Sequence, residues 1–82
     1  MGVYEKKVKK DRKEIIEKAK TFFGPGGLAL TIASDDECCI TFEGGGGHVT
    51  VTLTEQEGSP ETTVEVQTRE WDFQAKKFLQ II

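Results

Sequence analysis

The sequence predicts a single α+β domain, and two observations lead to this fold class. Four runs of alternating apolar and polar residues follow one another between residues 27 and 70, separated by clusters of Gly, Pro, Asp and Ser. One amphipathic segment precedes these runs and another follows them. Because 82 residues are the length of one small domain, residues 1–82 are expected to fold as one unit.

The first two predicted elements are a strand and a helix. Residues 3–9 alternate and are rich in lysine, which is typical of an edge strand that avoids pairing with other sheets. Asp11 and Glu14 have the spacing of a helix-capping box. The apolar face of the helix that follows consists of Ile15, Ile16, Ala19, Phe22 and Phe23. Gly24, Pro25, Gly26 and Gly27 are expected to end it.

Four strands are expected next. They cover residues 28–33, 38–43, 48–54 and 63–69, with turns at 34–37, 44–47 and 57–60. In the first of them, Leu28, Leu30 and Ile32 alternate with smaller residues. Hairpin connections make these four strands an antiparallel meander.

The last predicted element is a helix that begins near Trp71, with Asp72 as its N-cap. Its apolar face consists of Trp71, Ala75, Phe78, Leu79 and Ile82. Phe73 and Ile81 fall outside this face, so we expect them to be exposed or to contact a partner.

These elements have the order β-α-β-β-β-β-α, and they predict a five-stranded antiparallel sheet in the order 2-3-4-5-1 with both helices packed on one face. Lysines of strand one and Glu65 of strand five favour the pairing that completes it. This order resembles one repeat of the TATA-binding-protein-like fold, and also a shortened helix-grip fold as in START-like lipid-binding proteins. The resemblance is topological, so it transfers no functional residue. The chain has neither the second repeat of a DNA-binding saddle nor the strands that roof a helix-grip cavity.

Composition and charge argue against several classes of protein. No apolar run approaches the length of about 20 residues that a membrane span needs, and the N-terminus does not have the apolar stretch of a secretory signal. Residues 1–20 hold eight basic and four acidic residues (+4), whereas residues 21–82 hold three basic and ten acidic residues (−7). This asymmetry favours contact between the two halves or between two copies of the chain.

The two cysteines, Cys38 and Cys39, are adjacent in sequence. Because neighbours in a strand point to opposite faces, we expect no disulfide between them, and a single pair is no disulfide framework. Two free thiols favour a cytoplasmic location.

Candidate chemistry is sparse. The glycines Gly44 to Gly47 lead from strand to strand, so they predict a hairpin turn and not a phosphate loop. A nucleophilic pair of Cys39 and His48 would need hydrogen-bond distance and an orienting group such as Glu43. The same Cys and His fall short of the roughly four ligands of a zinc site. No catalytic residue, metal or cofactor is predicted, and a non-enzymatic role is favoured.

The basic run from Lys6 to Lys13 could contact phosphates. However, the chain is acidic overall and its polar strand positions carry Thr and Glu where RNA-binding sheets carry aromatics. These observations argue against nucleic acid as the partner.

The polar face of the sheet is the remaining candidate site. Its expected members are small or weakly polar: Ala29, Thr31, Ala33, Cys39, Thr41, His48, Thr50, Thr52 and Thr63. Antiparallel sheets often leave one face in water, but such a face usually carries more charge. The leading hypothesis is a homodimer, or a module that binds another protein, using this face or a sheet edge. The alternative is a small-ligand binder or minor enzyme of helix-grip type, with a site near Cys39, His48 and the glycine turn.

Overall fold

The computed structural model describes residues 2–24 and 26–82 and has the predicted α+β architecture. Its elements are β1 (Gly2–Val8), α1 (Arg12–Phe23), β2 (Thr31–Asp35), β3 (Cys39–Gly44), β4 (Gly47–Glu55), β5 (Thr62–Arg69) and α2 (Asp72–Ile81). All five strands form one antiparallel sheet in the order β1-β5-β4-β3-β2. The predicted sheet order and fold class are confirmed.

One apolar cluster holds the elements together. Alternate residues of the central strands are fully buried in it, and we call their side of the sheet the core face: Ile40, Phe42, Val49, Val51, Val64 and Val66. Both helices contribute to the same cluster. The ring of Phe23 in α1 lies 5.4 Å from that of Phe42 in β3 and 5.2 Å from that of Phe78 in α2. The other side of the sheet is the open face.

The start of α1 follows the sequence prediction. The side chain of Asp11 accepts a hydrogen bond of 2.9 Å from the Glu14 backbone N–H, which satisfies one of the free donors of the first turn. At the other end, the Gly24 N–H donates to the carbonyl of Lys20. Pro25, which was expected to help end the helix, lies outside the described residues.

The second strand begins three residues later than predicted. Leu28 and Leu30 were expected to be strand residues, but their backbone N–H groups donate to the Phe22 and Phe23 carbonyls at the end of α1. Ala29 between them has a left-handed backbone with φ of 61°. The alternation of apolar residues therefore continues through a helix-ending turn, and the strand itself is Thr31–Asp35.

The turn between β2 and β3 also differs from the prediction. The backbones of Asp36 and Cys39 exchange hydrogen bonds, so Glu37 and Cys38 are the two central residues of a tight hairpin turn. Cys38 and Cys39 are joined by a disulfide, and the expectation of two free thiols was wrong. It assumed that both residues belong to a strand, whereas Cys38 precedes β3 and does not follow the strand's alternation.

Side-chain hydrogen bonds join the second helix to β1 and to the β3–β4 turn. Trp71, and not Asp72, occupies the N-cap position, and no side chain caps this end. Asp72 instead accepts a hydrogen bond of 2.7 Å from the Tyr4 hydroxyl, and the Lys6 ammonium donates to the Leu79 carbonyl in the last turn. Phe73 and Ile81 are 72% and 51% exposed, as their positions outside the apolar face predicted.

Candidate interaction face

The open face is built from residues that alternate with those of the core. Three rows of cross-strand partners run across its centre. The first row is Cys39, Thr52, Glu65 and Glu5; the second is Ser34, Thr41, Thr50, Gln67 and Val3; the third is Thr31, Glu43, His48 and Arg69. The middle row contains no charged residue. It has one residue from each of the five strands, including the three at the centre of the sheet.

The structure brings all six predicted site residues to the open face. Thr41 and Thr50 are direct partners, and their hydroxyls lie 3.1 Å apart in a hydrogen bond. Cys39 pairs with Thr52, whereas Thr31 and His48 both flank Glu43. The predicted residues therefore form a connected surface.

Ala29 and Ala33 were expected on this face but do not belong to its regular rows, whereas Ser34 and Gln67 lie in its middle row. Ala29 precedes β2, and Ala33 lies at a register shift between Ile32 and Ser34. Ser34 takes the place beside Thr41 because the bulge adds one residue to β2. Gln67 lies opposite Thr50, and the strict alternation of β5 already predicts this position.

Charged residues lie around the neutral middle row. Glu43, His48 and Arg69 follow one another across three strands in the third row. In the first row Glu65 lies directly opposite Glu5, which is a repulsive pair and not the attraction to lysine that the sequence suggested. Lys7 is one diagonal step from Glu65, because its direct partner is Thr63. The rim thus carries charges of both signs.

The geometry does not assemble a nucleophilic pair. The partner of Cys39 is Thr52 and that of His48 is Glu43, so Cys39 and His48 are four positions apart along the ladder, roughly 13 Å. Cys39 is also part of a disulfide and has no free thiol. Across residues 2–24 and 26–82, no group of three or more His, Cys, Asp and Glu side chains could hold a metal ion.

The glycine turn between β3 and β4 is covered on the core side by the side chain of Trp71. Gly45 and Gly46 have φ of 60° and 81°, so they form the two-residue turn that joins β3 to β4. The Trp71 indole lies against this turn and donates a hydrogen bond of 2.9 Å to the Gly44 carbonyl. A Cβ atom on Gly45 would lie 2.8 Å from the indole ring. The turn therefore packs against Trp71 and holds its indole by a hydrogen bond.

A separate groove lies between the helices, where no site was predicted. It has a volume of about 650 Å³ and is lined by apolar groups of Phe22, Leu28 and Ile81, with Glu17 and Lys18 among its polar residues. The position of Ile81 outside the apolar stripe of α2 was the one sequence signal for it. None of the six predicted site residues lines this groove.

No protein-family model matches the chain, and no curated protein is significantly similar to it in sequence. In the part of the chain that the structure describes, no helix has both the length and the apolar character needed to cross a membrane.

Proposed function

We propose that this protein is a non-catalytic interaction module that forms a homodimer through the open face of its sheet. The observation that carries the proposal is the neutral middle row of Thr41, Thr50 and Gln67, which has Glu65 in the row on one side and Glu43 and Arg69 in the row on the other. Protein interfaces have this anatomy, with a core depleted of charge and a polar rim. A face made only to be solvated would carry more charge at its centre.

The edges of the sheet suit self-association less well than the face. Lysines such as Lys7 discourage pairing at β1, and α2 is fastened beside that strand through Tyr4 and Lys6. The other edge, β2, has only five residues and contains a bulge at Ala33. Short length and bulges are the features by which native proteins keep edge strands from pairing.

The mixed charges of the rim support a second copy as the partner. A twofold interface brings the same patch of both chains together, so a patch of one charge would repel itself. Here Arg69 and Glu43 lie two strands apart in one row, on either side of His48, and each can meet its opposite in the other chain. Residues 1–20 carry a net charge of +4 and residues 21–82 a net charge of −7, so each segment of one copy can also attract the oppositely charged segment of the other.

The size of the face sets the expected strength of the dimer. Five strands about 4.8 Å apart make a sheet roughly 24 Å wide, and the six-residue ladder between β3 and β4 is roughly 20 Å long. The resulting area, on the order of 500 Å², is below the roughly 800 Å² per partner of a standard stable interface. We therefore expect a dissociation constant in the micromolar range or weaker.

The location of the protein and its resemblance to known folds also belong to this proposal. A cytoplasmic location is part of the proposal, but the observed disulfide removes the two free thiols on which the sequence argument for it relied. Disulfides in cytosolic proteins are usually transient and redox-active, so this location requires that the Cys38–Cys39 bond be of that kind. The likeness to a TATA-binding-protein-like repeat or to a helix-grip protein concerns the order of elements, and fold alone does not give function.

Sedimentation at concentrations from about 1 μM to about 1 mM tests the dimer over the range expected for so small an interface. Thr50→Arg places a charge at the centre of the face and should make the protein monomeric. Gln80→Arg adds the same charge on the exposed surface of α2 and should leave association unchanged. Circular dichroism checks that both variants remain folded.

Two results would overturn the proposal. One is a parent protein that stays monomeric at the highest concentration. The other is equal association of Thr50→Arg and Gln80→Arg. Amide chemical shifts give an independent readout, because dilution should move signals of Thr41, Thr50 and Gln67 more than those of α2.

The alternative ligand-binding role places a site near Cys39, His48 and the glycine turn. The separation of Cys39 from His48 and the packing of Trp71 against the turn weigh against it. A thermal-shift screen with a broad metabolite set distinguishes the two roles. A stabilising compound whose effect disappears in both Cys39→Ser and His48→Ala would favour ligand binding over the dimer.

A further inference from the structure

The Cys38–Cys39 disulfide lies at an exposed end of the sheet. Cys38 is exposed in the tight turn between β2 and β3, and Cys39 is half-buried as the first residue of β3. The Cys38 carbonyl accepts a hydrogen bond of 2.8 Å from the Leu53 N–H, so the β3–β4 ladder continues to the bond itself. The site is accessible from solvent, yet its backbone is held by the sheet.

This disulfide has little value as a structural staple. A disulfide stabilises a fold mainly by closing a loop in the unfolded chain, and the effect grows with the length of that loop. Cys38 and Cys39 are already joined by a peptide bond, so the closed loop is the shortest possible. Neither cysteine belongs to the apolar cluster that unites the helices with the sheet. Opening the bond should therefore leave the fold in place.

The charges around the bond restrict its reaction partners. Asp35, Asp36 and Glu37 precede Cys38 directly, and all three are exposed. Only Asp35 has an ion-pair partner among the described residues, Lys20 at 2.9 Å. Uncompensated carboxylates repel an approaching anion, and this repulsion weakens as salt screens it. A reductant with negative charge beside its sulfur is therefore disfavoured.

We infer that Cys38 and Cys39 form a reversible thiol–disulfide exchange site whose partner is a dithiol that carries no acidic group near its reactive sulfur. The thiolate of that dithiol attacks the exposed sulfur of Cys38, and the Cys39 sulfur leaves as a thiolate that takes up a proton. The second thiol of the partner then displaces Cys38 from the mixed disulfide. The products are two cysteine thiols and the oxidised partner, and the reverse sequence closes the bond again.

Thiol titration of the whole protein in denaturant tests this inference. Before reduction we expect no titratable thiol, and after treatment with dithiothreitol and its removal we expect both cysteines to react. The linear disulfide of 2-mercaptoethanol, an uncharged oxidant that is itself reduced to two thiols in the exchange, should then close the bond again within one chain. The near-ultraviolet signal of Trp71 should stay unchanged throughout, because the fold does not depend on the bond. Loss of that signal on reduction, thiols present at the start, or covalent dimers on reoxidation would each overturn the inference.

Matched variants separate a redox role from a structural one. Replacing both cysteines by serine should keep the fold and shift the melting temperature by less than about 4 °C. Cys38→Ser alone should show one thiol with or without reductant. If the double variant unfolds, the bond is structural and the inference fails.

Monothiols of different charge test the electrostatic part. Both thiols react as thiolates, but glutathione carries one further net negative charge, so its rate of reduction should rise more steeply with salt concentration than the rate with 2-mercaptoethanol. Asp36→Asn combined with Glu37→Gln should remove this difference. Equal salt dependence of the two thiols would contradict the stated partner class.

Discussion

The two faces of the same sheet differ in how strongly the fold determines them. Along β4, Val49 and Val51 are fully buried on the core face, whereas their neighbours Thr50 and Thr52 are half-buried on the open face. All four are β-branched residues that favour strands. Residues on both faces therefore favour the strand conformation equally. Only those on the core face are also held in place by packing against the helices. The open face is not fixed by such packing, which is why we propose it as the contact surface.

The largest expected difference between the faces lies in the aromatic core. Phe78 is fully buried and packs against both Phe22 and Phe23, so Phe78→Ala should lower the free energy of unfolding by about 3–5 kcal/mol. A domain of this size has roughly 5–10 kcal/mol in total, so the variant should be marginally stable. Urea denaturation gives both values.

Two alanine variants serve as controls for that loss. Phe73→Ala removes the same ring from a side chain that is 72% exposed, and Thr52→Ala changes the open face. Each should alter stability by less than about 1 kcal/mol. If Thr52→Ala proved more damaging than Phe78→Ala, the assignment of core and open faces would be inverted.

The glycine turn offers a second contrast, between one residue that meets the core and one that does not. Gly45 and Gly46 both have a left-handed backbone, in which an alanine costs about 1–2 kcal/mol. Only at Gly45 would the added methyl group meet the ring of Trp71. Because such overpacking typically costs a further 1–3 kcal/mol or so, Gly45→Ala should be the more destabilising variant in urea. Equal losses would mean that Trp71 does not hold this position.

A third contrast compares two threonines of the same shape. On the core side, the buried Thr68 hydroxyl donates a hydrogen bond of 2.9 Å to the His48 carbonyl. Thr68→Val should lower stability by about 1–2 kcal/mol, since the carbonyl loses a partner where water does not reach. Thr52→Val on the open face should stay within about 0.5 kcal/mol of the parent. A larger effect at Thr52 would show that its hydroxyl has a structural partner.

The sequence predicted the sheet order because several signals agreed. Alternation, turn residues and the Asp11 cap all pointed to the same elements, and each depends on residues close together in the chain. The prediction was wrong around β2, where Leu28 and Leu30 pack as apolar residues of a turn. Period-2 alternation does not distinguish a strand from an irregular segment that also buries every second side chain.

For the predicted site residues, local alternation indicated the shared face but not every residue that lies on it. Alternation placed Thr41 and Thr50 on one face, and the structure pairs them. The bulge that brings Ser34 into this face has no sequence signature, because it depends on the register between two strands. The Cys38–Cys39 bond was missed because it requires Cys38 to leave the strand, which the hairpin geometry decides.

The final contrast compares the pH dependence of stability with and without the Tyr4 hydroxyl, at the side of the sheet where β1 meets α2. The hydrogen bond from its hydroxyl to Asp72, together with partial desolvation and the charge of that carboxylate, raises the pKa of Tyr4 above the usual value of about 10. The folded state therefore holds this proton more tightly than the unfolded state does. The resulting stabilisation is complete below pH of about 10 and is lost as the pH rises through the folded pKa. Tyr4 is the only tyrosine, so absorbance at about 295 nm reports its ionisation directly. We expect urea stability to fall more steeply in alkali for the parent protein than for Tyr4→Phe, and parallel curves would show that the Asp72 contact does not favour the protonated phenol.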